Sequence, residues 1–531
     1  MSHNDLILPR VKLSLKGIEN MSQSVVDIDE ESKKSAKELV YATRRTFETG
    51  ITKSVAFRKK QLNALLKFLR DYEEEICEAI FKDLRKPKHE TVVTEIEFLA
   101  NEIRNMLYHL DDYSKPKSQD KGFANFFDKL YIYNDPYGVV LIIGTWNYPL
   151  QLSLGPLAGA IAAGNAVIIK PSELAPATSY LLQSTLPKYL NSECYPVYAG
   201  GISETTELLN ERFDYIFFTG STNVGKIVYQ AANKYLTPVT LELGGKSPVY
   251  LDEHVDMEIA TKRILWGKLM NSGQTCIAPD YLLCTKSTQD KFLKVADRII
   301  KELYPGNIRT NSDYARIITK RHFQRLCSLM QNQKVAIGGL TDEKDLFIEP
   351  TILVDVSVND DVMKEEIFGP ILPIININDM NEAITFINRR EKPLALYVFS
   401  KNSKVINTFL DKTSSGGVSI NDTIMHITPD SLPFGGVGYS GMGGYHGKYS
   451  FDTFTHKKSV LMKNLHALPE KIQSTRYPPY SKNKTMFVVE VMKKRRGVSM
   501  KFLLYIGIFI LGILFTIAVY YLKLYIDKQH D

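Results

Sequence analysis

The sequence predicts an α/β fold whose centre is a parallel sheet with helices on both faces. Short apolar runs at residues 139–144, 166–170, 196–199, 215–219 and 239–243 alternate with helix-forming stretches such as 152–163 and 224–234. Runs that stay apolar without alternation suit strands buried on both sides, the condition inside a parallel sheet. Polar signatures follow three of them: Gly144-Thr145-Trp146-Asn147, Lys170-Pro171-Ser172-Glu173 and Gly220-Ser221. These fall at the carboxyl ends of strands, where ligands of such sheets gather. A length of 531 residues exceeds what one core organises, so two or more domains are expected.

The other elements follow in chain order. Residues 1–30 are polar and weakly patterned and read as a flexible extension. From 31 to about 113 the pattern is helical. Leu62, Leu65, Leu66, Leu69, Tyr72, Ile76 and Ile80 recur at three- and four-residue steps, with Glu73, Glu74 and Glu75 on a solvated side. A second mixed region, 247–423, holds WGKLMNSGQTCIAPD, EPTILVDV, EEIFGP and LYVFS, and a Gly-rich return, PFGGVGYSGMGGYHG, spans 433–447. Residues 502–522 are uncharged and almost wholly apolar, and about twenty such residues cross a bilayer. Lys493, Lys494, Arg495 and Arg496 precede them, while Lys523 and Lys528 are offset by Asp527 and Asp531. That asymmetry places the N-terminal side in the cytosol. No secretory signal is read at the N-terminus, so a tail-anchored protein is expected. The expected membrane is the endoplasmic reticulum, with the mitochondrial outer membrane or lipid droplets as alternatives.

Composition narrows the partners. The net charge of +7 comes from 66 basic and 59 acidic residues. The one dense basic cluster precedes the apolar segment, so nucleic acid is not expected as a partner. Five scattered cysteines without CxxC spacing argue against a disulfide framework or a zinc site, and no metal is expected.

Three residues stand out chemically. Cys276 lies in the polar stretch Asn271-Ser272-Gly273-Gln274-Thr275, whereas a core cysteine prefers apolar neighbours. Glu242 ends an apolar run and precedes Gly244-Gly245. It is either half of a salt bridge or a base whose pKa is raised by its surroundings. Asn147 follows a strand and precedes Pro149; it suits a turn cap or an oxyanion donor. Lys170 and Glu173 suit either a ribose clasp or a surface ion pair. Gly220 to Gly225 is similar to a phosphate-binding turn feeding a helix.

TWNYP, KPSE, FFTGSTNVGK, LELGGKSP, NSGQTCIAPD, EEIFGP and PFGGVGYSGMGGYHGKYSFDTFTH run in that order between about 33 and 465. In order and spacing they resemble the aldehyde dehydrogenase superfamily. The YHGKYSFDTFTH ending is similar to the class 3 branch, which includes membrane-bound fatty aldehyde dehydrogenases, and the apolar tail points to that subgroup. The resemblance implies a parallel-sheet NAD-binding domain over 31–246 with an oligomerisation hairpin near 123–138, and an α/β catalytic domain over 247–424. A return segment with a small oligomerisation element (425–465), a linker (466–500), a transmembrane helix (501–522) and a short tail (523–531) complete it.

The same resemblance implies the roles. Cys276 would be the nucleophile, Glu242 the base that activates water, and Asn147 with the Cys276 amide the oxyanion hole. Trp146, Lys170, Glu173, Gly220, Ser221, Gly225, Glu366 and Phe368 would bind NAD. Lys170, Glu173 and Glu366 would hold the riboses, Gly220 to Gly225 the pyrophosphate, and Phe368 the nicotinamide. Glu173 would repel a 2′-phosphate and so favour NAD, with NADP as the alternative. The expected substrate is a medium- to long-chain fatty aldehyde and the expected assembly a homodimer. Two departures are visible: TWNYP replaces PWNFP, and Tyr439 stands where the family has Asn. An acylating enzyme that passes the acyl group to coenzyme A is disfavoured by Glu242. A non-catalytic membrane scaffold is disfavoured by the presence of both Cys276 and Glu242.

Overall fold

A computed structural model describes residues 34–493 and 500–530. The expected extension over 1–30, and Lys494, Arg495 and Arg496 of the basic cluster, lie outside the described residues. The chain enters through Ala36–Glu48, whose start is fixed by a reciprocal cap between Ser35 and Glu38. The apolar stripe read as one helix forms two, Val55–Asp71 and Glu73–Leu84, separated at Tyr72 (φ −120°, ψ 21°). Leu62, Leu65, Leu69, Ile76 and Ile80 are buried in one core with Leu154, Leu157 and Ile161 of the apolar helix Gln151–Ala163. A further helical stretch from Lys88 to Ser114 takes π pitch between Val92 and Glu97.

The strands follow in order. β1 (Lys117–Ser118) pairs antiparallel with β2 (Lys129–Pro136). β3 (Val139–Ile143), β4 (Ala166–Lys170), β5 (Tyr215–Thr219) and β6 (Val239–Glu242) are mutually parallel and almost wholly buried. The apolar run at 196–199 makes only a bridge from Val197 to Ile169. Pro196 offers a carbonyl but no N–H, so the ladder cannot extend there.

A second sheet has the order β15-β14-β7-β8-β13-β12-β9. Its strands are β7 (Pro248–Leu251), β8 (Tyr281–Cys284), β9 (Lys334–Ile337), β12 (Thr351–Val354), β13 (Ile371–Asn376), β14 (Ala395–Phe399) and β15 (Gly417–Ile420). All are parallel except β9, which runs antiparallel to β12. β10 (Thr341–Asp342) and β11 (Phe347–Ile348) form a small hairpin beside it.

The chain then returns to what it built first. β16 (Gly441–Met442) adds antiparallel to β6, with Gly441 opposite Glu242. β17 (Thr455–Met462) pairs along the whole of β2. The last described element is the helix Met500–His530. Within it Tyr505–Ile526 has mean hydropathy 2.2 and none of it is buried, so it is long and apolar enough to cross a membrane.

Candidate active site

The carboxyl ends of β3, β5 and β6 open into a cavity of about 780 Å³. Cys276, Glu242, Asn147 and Trp146 line it, together with Gly220, Ser221, Glu366 and Phe368. Three of the expected residues stand outside that lining. Lys170, buried at the end of β4, is bound to Glu173 at 2.5 Å. Gly225 packs the helix Thr222–Asn233 onto the sheet, since a Cβ there would lie 2.7 Å from a Leu243 methyl.

Cys276 is half-buried, on a turn between the helix Met257–Leu269 and β8. The turn before it carries three successive left-handed residues: Asn271 (φ 52°), Ser272 (φ 51°) and Gly273 (φ 74°). Each non-glycine one costs roughly 1–2 kcal/mol. Tertiary bonds hold them there. Asn271 Nδ2 donates to the Asn147 carbonyl at 2.8 Å, and its backbone N–H donates to Glu90 at 3.0 Å. Ser272 Oγ donates to the Ala315 carbonyl, and Gln274 is bonded to Asn271, Arg316 and Ile318. Gly273 leaves room for the Gly369 carbonyl, which a Cβ would meet at 2.3 Å. The polar neighbours that singled out Cys276 in the sequence are therefore anchors of its turn. Burial pushes the thiol up, with the Glu366 and Glu242 carboxylates adding to it, while the N–H groups of Cys276 and Ile277 oppose the shift. The thiol thus needs a base or a nearby positive charge to ionise.

Glu242 ends β6 and is 3% exposed. Among the described residues neither carboxyl oxygen has a hydrogen-bond partner. Burial alone pushes its pKa well above the usual carboxylate range. A buried carboxyl without partners is costly. It gains a partner only from what enters the cavity. Asn147 is buried and gives one N–H to the Gln274 carbonyl at 3.0 Å. A side-chain amide has two such donors, so one is left for the cavity.

The rest of the lining suits a nicotinamide dinucleotide. Ser221 caps the helix Thr222–Asn233, whose N-terminus favours a diphosphate. The Glu366 carboxyl is pushed up to about 8, by burial first and then by Asp280, and accepts from the Gly245 N–H. Gly244 must be glycine for that approach, because a Cβ would meet Glu366 Oε2 at 2.0 Å. Phe368, at φ 54°, presents its ring 5.3 Å from Trp146 in an edge-on contact. Among the described residues no group of three or more His, Cys, Asp or Glu is placed to hold a metal ion.

The profile of the Aldehyde dehydrogenase family matches residues 19–460. The chain belongs to the aldehyde dehydrogenase family. It is 52% identical to the rat "Aldehyde dehydrogenase family 3 member A2" over 445 residues, 84% of this chain and 92% of the relative. It is 50% identical to the dog "Aldehyde dehydrogenase, dimeric NADP-preferring", over 83% of this chain and 97% of that one. Among solved structures, the substrate-bound AldH of Staphylococcus aureus superposes with a TM-score of 0.84 at 44% identity, covering 87% of this chain and all of that one. This is a class 3 aldehyde dehydrogenase, an oxidoreductase acting on aldehydes with NAD or NADP as cofactor.

In this aldehyde dehydrogenase the sequence reading missed a buried layer beneath the site. Lys86 and Glu95, both fully buried, form an ion pair at 2.5 Å. Lys86 also donates to the Asn147 carbonyl at 2.9 Å and lies 4.0 Å over the Tyr148 ring. Glu95 accepts from the N–H groups of Leu150 and Gln151, which start the next helix. The Tyr148 hydroxyl meets Thr275 Oγ1 at 2.7 Å, tying the Asn147 loop to the Cys276 turn. His322 stands 5.1 Å from Trp146, bonded to Thr319, with burial holding its pKa down to about 4. Tyr148 lies in the TWNYP motif. The stretch Leu84-Arg85-Lys86-Pro87-Lys88 reads as solvated charge, and nothing in it marks Lys86 as buried.

Proposed function

We propose that this enzyme oxidises medium- to long-chain fatty aldehydes to fatty acids at a membrane surface, with NAD as the preferred cofactor. The observation that carries the mechanism is the unpartnered Glu242 carboxyl in the cavity that holds Cys276 and Asn147.

The Cys276 thiol releases its proton to solvent, which the positive charge of a bound nicotinamide would favour, and the thiolate attacks the aldehyde carbon to form a C–S bond. The carbonyl oxygen becomes an oxyanion, held by the free N–H of Asn147 and the backbone N–H of Cys276. Trp146 and Phe368 would hold the nicotinamide ring, which when bound would supply the hydride acceptor. Loss of hydride leaves a thioester on Cys276. Glu242 then takes a proton from water, the hydroxide adds to the thioester, and the thiolate leaves with release of the acid. Burial raises the pKa of Glu242 and so makes its carboxylate a stronger base than an exposed one. Lys170, Glu173 and Glu366 serve the riboses, and Gly220, Ser221 and Gly225 the diphosphate turn. Glu173, fixed by Lys170, favours a ribose hydroxyl over a 2′-phosphate.

The fatty substrate is supported by the apolar helix Tyr505–Ile526, which would hold the enzyme where such aldehydes partition. The first parallel sheet is read as the NAD-binding domain and the second as the catalytic domain. The sheet β1-β2-β17 is read as the dimer element, in keeping with the dog relative, which is described as dimeric. The endoplasmic reticulum is the proposed membrane. Initial rates of NADH formation across saturated aldehydes of increasing length, in vesicles, test the reading. Rates should rise with chain length, and a preference for short soluble aldehydes overturns it. Cys276→Ala should abolish NADH formation throughout the series.

A further inference from the structure

Tyr439 departs from the family pattern, and no step of the reaction uses it. It is half-exposed and lines the catalytic cavity. Its backbone is fixed from two sides. The Ser440 carbonyl accepts from Leu243 N–H at 3.1 Å, just beyond Glu242. The Tyr439 carbonyl accepts from Thr222 Oγ1 at 3.2 Å, at the first residue of the helix Thr222–Asn233. Above the ring sits Lys226 of that helix, its ammonium 4.5 Å from the centroid.

Lys226 differs from several other cations of the cavity. Lys246 is bound to Asp280 and to the Val362 and Glu365 carbonyls, and Arg325 and Arg390 donate to backbone carbonyls. Among the described residues Lys226 has no ion pair. A carboxylate would fix a lysine and cancel its charge. An aromatic face fixes it and leaves the charge available. The charge is held near Gly220 and Ser221, at a helix N-terminus already suited to an anion.

We propose that Lys226, seated on Tyr439, is a further ligand of the cofactor's diphosphate, and that Tyr439 is the positioning residue that holds it there. The proposal rests on the diphosphate lying at the turn Gly220–Gly225. Dissociation constants test it: NADH by fluorescence, ADP-ribose by competition, and adenosine as a probe without a diphosphate. Lys226→Gln should weaken NADH and ADP-ribose about two- to fivefold and leave adenosine unchanged. Tyr439→Ser should give the same loss, Tyr439→Phe should retain native affinity, and the Lys226→Gln/Tyr439→Ser pair should lose no more than either alone. Native affinity in Lys226→Gln, equal losses in Tyr439→Phe and Tyr439→Ser, or additive losses in the pair overturn it. Ser221→Asp separates the two readings, since Asp caps a helix as well as Ser does but repels a diphosphate. If Ser221→Asp loses NADH while Lys226→Gln does not, only the role of Lys226 fails. If both bind normally, the placement of the diphosphate fails with it.

Discussion

Lys86→Met tests whether the buried layer beneath the site holds Asn147, the proposed oxyanion donor, in place. The substitution preserves the length of the side chain and removes its charge. It leaves the Glu95 carboxylate buried with only the Leu150 and Gln151 N–H groups, and takes one of two donors from the Asn147 carbonyl. Breaking one partner of a buried pair costs about 3–5 kcal/mol, much of it the stranded charge. The double variant Lys86→Met/Glu95→Gln keeps an oxygen for the Leu150 N–H and strands no charge. Its cost should fall to about 1–2 kcal/mol. Urea unfolding of the detergent-solubilised enzyme, followed by circular dichroism, gives both values and their coupling. Turnover is the second reading: the single variant should lose roughly tenfold, because misplacing an oxyanion donor weakens transition-state binding. A single variant that loses less than about 1 kcal/mol, or a double variant that loses more than the single, would refute the reasoning.

Three further variants extend the test. Glu242→Gln should turn over slowly and accumulate a fatty acyl adduct on Cys276, visible by intact-mass spectrometry; normal turnover without adduct would make Glu242 structural. The same variant has a pH signature. Burial raises the folded-state pKa of Glu242 above the usual 4.5, so the folded state holds that proton more tightly than the unfolded chain. The associated stability is complete below about pH 4.5 and is lost as pH rises towards the folded pKa. Melting temperatures should therefore favour Glu242→Gln increasingly from pH 5 to pH 8, and a constant difference contradicts this. Asn147→Ala should slow the chemical step by roughly a hundredfold or more while NADH affinity holds; the reverse pattern would assign Asn147 to cofactor positioning. Truncation at Met500 should release active enzyme that oxidises short aldehydes normally and membrane-dissolved long ones poorly, and a truncated protein that still pellets with salt-washed membranes would exclude the helix as main anchor.

The parallel strands β3 to β6 were legible because burial on both faces demands unbroken apolar runs, and the runs end within a residue of the strands. The roles proposed for Cys276, Glu242 and Asn147 rest on motif order, whereas their local contexts leave alternatives open. The structure adds the reason for the context of Cys276: NSGQT anchors a left-handed turn, a need that only tertiary neighbours create. Lys86 and Glu95 stayed hidden because burial of a charged residue depends on a partner nine positions away, brought near by a helix of unusual pitch. The break at Tyr72 was masked by a stripe that stays in phase across both helices. The pairing of Lys170 with Glu173 was one of two readings left open. Tyr439 was noticed only as a departure, and its contact with Lys226 needs the return of the chain to β6.

That return also sorts damage to the gene into two kinds. β6, which ends in Glu242, would be a bare sheet edge but for two residues supplied about two hundred positions later, and β2 waits for β17 from farther still. A chain ended before Gly441 would present both as unpaired, sticky edges, open to association with other unfinished chains. Such a product is a hazard to its neighbours as well as inactive. A chain ended after Met462 would have closed both edges and would lose the Lys463 and Gln473 contacts to Asp128 and the apolar helix proposed as membrane anchor. Two premature stops about twenty codons apart thus separate a chain with two open sheet edges from one in which both are closed.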